Sequence, residues 1–383
     1  MKILFYLHRY PAIGGIEGVT TFLANSFANL QYDVRIVSHF GIESQENGLV
    51  SGKEISIKHL PSPRCHCRKN RHFLQSEIRA FRPDVIIFQD SYAPIESNLF
   101  PVRADVPVIV CEHNSPYAYY DEPNEQGNFL RRAIERWGFP LIKRLKYLRD
   151  RKRRYYLYNQ CWKYVLLSNR FFGEFRAVAR IGDSRKLMAI PNAVPEAITV
   201  DFKDKVNEVL FVGAVTRRKG CDVLLKVWQR VCHDHPNWKL TIVGDGHLRG
   251  VLEEETKAET IPRVHFEGTR VNPISYFRRA KIFAFPSRRE GWGLVIAEAL
   301  ACGCVPVVFD SFPSVRDNVE DGVNGLLIQP FDVDEFASKL SVLMEDDELL
   351  QRMARTKLPS RSLCSQSEVV SQWVQLLLEA TAK

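Results

Sequence analysis

Long apolar runs are what this chain most conspicuously lacks. The first segment, "MKILFYLHRY", carries five apolar residues, Ile3 to Leu7, before His8 and Arg9. That is too short for a secretory leader, and no stretch approaches the ~20 apolar residues of a membrane span. A cytoplasmic protein is therefore expected. A cysteine framework is also missing. The nine cysteines are scattered and odd in number, as expected of reduced structural thiols. "CHC" at 65–67 has no second ligand pair at zinc-like spacing. The dinucleotide fingerprint G-x-G-x-x-G is lacking too: "AIGGIEG" follows the first strand pattern, but position 13 is Ile and no acidic residue ends the second strand.

Excess charge is absent from most of the chain. The formal net charge is +8. Residues 131–154, "RRAIERWGFPLIKRLKYLRDRKRR", hold eleven Arg and Lys against Glu135 and Asp150, a net of +9, so the remainder is nearly neutral. The segment is interleaved with Trp137, Phe139, Leu141, Ile142, Leu145, Tyr147 and Leu148. It has three readings: a solvated helical face, a nucleic-acid surface, or a helix lying on an anionic membrane. No nucleic-acid motif accompanies it, so nucleic acid is not expected and an anionic membrane surface is the favoured partner.

What is present is alternation. "KILFYL", "DVRIVS", "DVIIFQ" and "VPVIVCEH" read as buried strands separated by helical patterns, the signature of a parallel sheet covered on both faces. "KLMAIPNAVPE" at 186–196 reads as a linker. The alternation then restarts with "EVLFVGAV", "WKLTIVGDG", "RVHFEG", "KIFAFPS" and "CVPVVFD". The expectation is an α/β chain of two doubly wound, Rossmann-like domains, 1–192 and 193–366. A terminal helix in 367–383 would dock back near the first domain. Open α/β sheets bind ligands at the carboxyl ends of their strands, and two facing domains would enclose a cleft there. Residues just after strands are therefore the candidates.

After the first strand, Gly14 and Gly15 allow close backbone approach at a helix start, where free N–H groups favour an anion. After the first strand of the second half come Arg217, Arg218 and Lys219, cations suited to phosphate, or simply a solvated basic loop. Later, Glu290-Gly-Trp-Gly precedes "LVIAEALACG". The amides of Gly293, Leu294 and Val295 would be unpaired at that helix start. Glu298, one turn in, leans back toward the same end. Carboxylates repel phosphate but accept from hydroxyls. Phosphate donors flanked by two carboxylates suit a nucleoside diphosphate sugar. "FDVDEF" offers Asp332 and Asp334 at a helix start, where Asp serves as a cap rather than a metal ligand.

Here the chain resembles the family 4 retaining glycosyltransferases of GT-B fold, among them bacterial cell-surface glycan and lipopolysaccharide enzymes. The strings that carry the likeness are "IPNAV", "VGAVTRRKG", "IVGDGHLRGVLEE", "FEGTR", "PSRREGWGLVIAEALACGCVPVV" and "VEDGVNGLLIQPFD", in the family's order. The resemblance implies roles position by position. Glu298 would bind the ribose hydroxyls and Glu290 the donor sugar. Arg218 and Lys219 would hold the diphosphate, with Gly15 meeting it from the first domain. His113 would lie by the sugar, and Gly268 and Thr269 would contact the base. Many relatives carry an arginine directly after the second-domain glycine, whereas Ala214 follows Gly213 here. The arginine's role then passes to Arg217 or Arg218, with Arg218 favoured. A glycan or lipid-linked acceptor is implied, and neither cofactor nor metal is expected. Another enzyme on this fold, a non-hydrolysing nucleotide-sugar epimerase, and a degenerate nucleotide-binding protein are the alternatives.

Overall fold

The computed structural model describes residues 1–12, 14–41, 55–89, 94–103, 105–117, 139–194, 200–270, 272–356 and 364–382. The chain forms two compact units, Met1–Asn192 with Val369–Lys383, and Ala193–Glu368.

The first unit contains β1 (Lys2–Arg9), β2 (Asp33–Phe40), β3 (Ser56–His59), β4 (Val85–Phe88), β5 (Val108–Glu112), β6 (Lys163–Leu166) and β7 (Leu187–Ala189). They form one sheet of order β3-β2-β1-β4-β5-β6-β7 in which every pair is parallel. Ile3 to Leu7 and Val85 to Phe88 are buried on both faces, which is why they read as continuous apolar runs instead of alternating ones. The stretch 186–196 is not simply a linker. Leu187–Ala189 pairs with β6 as the edge strand, a contribution that the two prolines following it obscure. The apolar pattern after β1 reads as a helix only from about Val19, but the helix begins at Gly15, its glycine-rich first turn lying outside that pattern.

The second unit contains β8 (Val206–Val212), β9 (Lys239–Val243), β10 (Val264–Gly268), β11 (Ala280–Phe285), β12 (Val305–Phe309) and β13 (Leu326–Ile328). The order is β10-β9-β8-β11-β12-β13, again all parallel. The helix Cys221–Val231 lays Leu224, Leu225, Val227 and Trp228 into this unit's core. The terminal helix Gln366–Thr381 buries Val369, Trp373, Leu376 and Leu377. Strand order reverses between β1 and β4 in one unit and between β8 and β11 in the other, and crevices open at such points.

Among the described residues no helix is long and apolar enough to cross a membrane, and no three potential metal-ligating side chains gather. Asp332 caps the helix Val333–Glu345, its carboxylate accepting from the Glu335 amide at 2.8 Å. Cys67 caps the helix Arg68–Phe81 through its sulfur.

Of the basic segment, residues 131–138 lie outside the described residues. The helix Phe139–Gln160 takes up the rest. Not all of its charge is free, contrary to the simple count. Arg154 is buried and bonded to Glu112 at 2.5 and 2.9 Å, with Tyr164 donating to the same carboxylate at 2.7 Å. Arg153 pairs with Glu96 at 2.8 Å. The exposed face of the helix instead mixes Arg144, Arg149 and Lys152 with Leu141, Leu145 and Tyr155, the apolar three being more than half exposed.

Candidate active site

In the second unit two loops leave adjacent strands at the reversal point. After β8, Thr216 caps the short turn Arg217–Lys219, and the chain passes Gly220 into the helix Cys221–Val231. Gly220 has φ of 78°, and a Cβ there would stand 1.9 Å from the Pro286 carbonyl oxygen. Only glycine allows the two loops to approach this closely. After β11, Pro286 to Trp292 lead to Gly293, which adopts φ of 75° before the helix Leu294–Ala301.

The loops are bonded to one another. The Arg288 amide donates to the Arg218 carbonyl at 2.8 Å, and Arg218 Nη1 to the Arg289 carbonyl at 3.3 Å. The Arg288 guanidinium grips both Asp222 oxygens at 3.0 Å. Behind them, Ser311 donates to the Ser287 carbonyl (2.6 Å), Ser314 to that of Gly291 (2.9 Å) and Asn318 to that of Trp292 (3.0 Å). These braces of the second loop are short polar side chains whose role no local motif announces, and sequence reasoning missed them.

Three of the expected residues meet at the junction. Lys219 Nζ lies 2.7 Å from Glu290 Oε1, Ser287 donates to that oxygen at 2.7 Å, and Arg218 Nη1 lies 3.9 Å away. Burial would push the Glu290 carboxyl up, but the charges of Lys219 and Arg218 and the two hydrogen bonds outweigh it and hold the group below the usual range. Two cations against one carboxylate leave a net positive seat, with Oε2 of Glu290 outside these bonds. Arg217 contributes its backbone carbonyl, which accepts from the Arg288 guanidinium at the same junction.

Glu298 is different. Its carboxyl is half-buried and has no ion pair or hydrogen bond among the described residues, and burial pushes it up to about 7. The amides of Gly293, Leu294 and Val295 open the same helix, whose first turn lacks intrahelical acceptors. The Trp292 indole N–H, in the turn between the two glutamates, is buried without a partner among the described residues. Gly268, at φ of 71°, and exposed Thr269 end β10, two strands from β8, and make no bond to the cluster.

In the first unit, Gly14 is extended and Gly15 opens its helix. The Glu17 carboxylate folds over Gly14, where a Cβ would meet Oε2 at 2.2 Å, whereas Gly15 faces open space. An anion approaching Gly14 would meet the Glu17 carboxylate first, a feature absent from the expectation for that turn. His113 ends β5, and burial pushes its imidazole down to about 4, so it is neutral near pH 7.

Two parallel-sheet units, one with a cation-lined loop and a helix start at its strand reversal, define a Rossmann-like α/β class with a crevice suited to an anion. Solved structures share the fold. An S. aureus TarM variant, described in complex with fondaparinux, α-GlcNAc-glycerol and UDP, matches with a TM-score of 0.76 at 13% identity, covering 98% of this chain and 100% of that one. Anabaena HepE in complex with UDP-glucose gives 0.74 at 17% identity, over 100% and 99%. Residues 13–197 match the model described as Glycosyltransferase Family 4, and residues 198–357 that described as Glycosyl transferases group 1. The chain belongs to this family of glycosyltransferases. It is 27% identical to an uncharacterized glycosyltransferase of Haemophilus influenzae over 98% of this chain and 99% of that protein. It is also 24% identical to a Campylobacter jejuni N-acetyl-D-galactosaminyltransferase whose name specifies a diphospho-undecaprenol-linked glycan, over 99% of both.

Proposed function

We propose that the enzyme takes its sugar from a nucleoside diphosphate sugar, with UDP as the nucleotide. It transfers the sugar, with retention and without a metal ion, to a hydroxyl of a lipid-linked or cell-surface glycan precursor. The carrying observation is the Lys219–Glu290–Arg218 cluster, with Glu290 on the loop that leads into the helix bearing Glu298, whose carboxyl has no ion pair or hydrogen bond among the described residues. In the reaction the bond from the anomeric carbon to the diphosphate oxygen breaks and one to the acceptor oxygen forms. The acceptor proton leaves with the diphosphate or to solvent. Charge grows on the leaving diphosphate, and Lys219, Arg218 and the helix amides at 293–295 oppose it. Glu290 holds Lys219 through Oε1 and keeps Oε2 for a sugar hydroxyl. Glu298 accepts from the ribose hydroxyls.

The UDP complexes of the structural neighbours support the choice of nucleotide, and the name of the Campylobacter relative supports a lipid-linked acceptor. The mixed Arg, Lys, Leu and Tyr face of the helix Phe139–Gln160 supports attachment to an anionic membrane, at its cytoplasmic side, where such acceptors would be reached. Release of UDP from a UDP-sugar only when an acceptor is supplied is the expected result. Release without acceptor, or interconversion of the donor sugar, would favour the rival readings. Sedimentation with anionic liposomes at low salt and release at high salt are expected, and no sedimentation at low salt would reject the membrane assignment.

A further inference from the structure

In the first unit, the residue that ends β4 at the strand reversal is Gln89, and it is fully buried. Its backbone amide donates to the Tyr6 carbonyl at 3.0 Å, which fixes where its side chain starts. Its Oε1 lies 2.5 Å from His113 Nε2 on the neighbouring strand end. An amide oxygen can only accept, so with Oε1 toward the ring the imidazole carries its proton on Nε2 and Nδ1 is a bare acceptor. Two atoms of the pair are then left over. Gln89 Nε2, a donor, and His113 Nδ1, an acceptor, are both buried without a hydrogen-bond partner among the described residues. Leaving such groups unmet is unfavourable, and the carboxyl edge of a sheet beside a reversal is where ligands sit.

We infer that Gln89 is a positioning residue for glycosyl transfer, holding His113 as a neutral Nε2–H imidazole whose Nδ1 accepts from an uncharged substrate hydroxyl. This rests on the transferase reading above. A bare Nδ1 lone pair repels the oxygens of a carboxylate or phosphate, so the group read here is a neutral hydroxyl and not a uronic acid or a phosphosugar. Burial keeps the ring neutral, its pKa pushed down to about 4, in agreement with that role.

The test uses the full chain. Gln89→Met keeps the side chain's length and removes the amide. It should lower kcat by about 5- to 150-fold, while UDP affinity, set in the other unit, stays within about twofold. Gln89→Glu keeps the acceptor but brings a negative charge that favours the imidazolium, in which Nδ1 no longer accepts. Its kcat/KM should acquire a new inflection and fall as pH is lowered through it. Variants with kcat within twofold of wild type and superimposable pH profiles would overturn the inference. So would faster turnover of a hexuronic acid substrate than of its neutral counterpart. Histidine 15N spectra, with the His113 signal assigned by its loss in His113→Phe, give a readout independent of turnover. The Nε2–H tautomer is expected down to pH 5 in wild type and should be lost in Gln89→Met. An Nδ1–H ring, or one titrating near neutrality, refutes the positioning role even if transfer is observed. Absence of transfer by wild type with the expected tautomer intact would instead fault the transferase reading.

Discussion

Replacing Glu298 with Gln is the sharpest test of the donor half of the site. The wild-type carboxyl sits without a partner and is pushed up to about 7 by burial alone. Its unfolded value is near ~4.5, so the folded state binds the proton more tightly than the unfolded one. The stability contributed by this group is complete below the unfolded value and is lost as pH rises through about 7. At pH 8 the loss amounts to about 3 kcal/mol. Glu298→Gln keeps the shape and abolishes the titration, so it should be more stable than wild type at pH 8 by up to about that amount and indistinguishable at pH 4. Binding works in the opposite direction. Ribose hydroxyls donate to the ionised form, so affinity for UDP-glucose should rise with pH, approaching ~10-fold per unit below the free pKa and levelling above it. UDP-glucose is preferred to UDP because its diphosphate does not titrate in this range. Urea denaturation and calorimetric titration from pH 5.5 to 8.5, on both proteins, measure the two trends. The reasoning fails if wild-type affinity is flat over that range, or if Glu298→Gln is the less stable protein at pH 8.

Four other variants probe the surrounding architecture. Lys219→Ala should reduce kcat/KM about 10- to 150-fold, because it removes a charged hydrogen bond of ~1.5–3 kcal/mol from the leaving group; unchanged steady-state turnover would remove Lys219 from the phosphate seat. Gly220→Ala should destabilise the chain by at least ~2 kcal/mol in urea denaturation, since its Cβ would stand 1.9 Å from the Pro286 carbonyl oxygen at a positive φ; a shift below ~0.5 kcal/mol would contradict the loop contact. Arg154→Ala should cost about 3–5 kcal/mol by stranding Glu112 and should leave liposome binding at low salt intact, whereas reversing Arg144, Arg149 and Lys152 to Glu should abolish binding with little change in Tm.

Much of this architecture was legible because parallel strands buried on both faces write themselves as apolar runs. β1, β2, β4 and β5, and β8, β9, β11 and β12, stand out that way, whereas β10 (VHFEG) is a partly exposed edge strand that was read from its place in the strand–helix alternation. The strands that escaped are short or sit at sheet edges. β3 (Ser56–His59) is part exposed and polar, β7 is masked by the prolines that follow it, and β13 spans three residues. β6 is buried but only four residues long, and it follows a basic helix whose charge dominates the local pattern. The expected site residues Arg218, Lys219, Glu290 and Glu298 could be picked out because charged groups after strands are conspicuous. Gln89, Asp222, Arg288, Ser314 and Asn318 could not, because their work is to bond other loops, and a bonding partner 23 to 71 residues away leaves no local spacing to read. The pairing of Glu290 with Lys219 was hidden for the same reason, and it changes the chemistry assigned to that glutamate.

That pairing bears on how a buried carboxylate could stand beside the proposed seat for a diphosphate. An isolated Glu290 would repel the donor, and an isolated Lys219 would be costly to bury. Joined at 2.7 Å, each removes the other's penalty before the donor arrives. Arg218 at 3.9 Å then supplies the surplus positive charge. In the proposed reaction a leaving diphosphate that gains charge would compete with Glu290 for Lys219, so the Lys219–Glu290 bond should loosen as the sugar departs. Glu290→Gln removes that competition. Without nucleotide it strands Lys219 and should lose about 3 kcal/mol of stability, and UDP should stabilise it more than it stabilises wild type. Its UDP affinity should hold or tighten while kcat falls, separating the sugar clamp from the phosphate seat. Thermal unfolding of both proteins with and without UDP decides the matter: equal stabilisation of the two by UDP would mean that Glu290 and the diphosphate do not share Lys219.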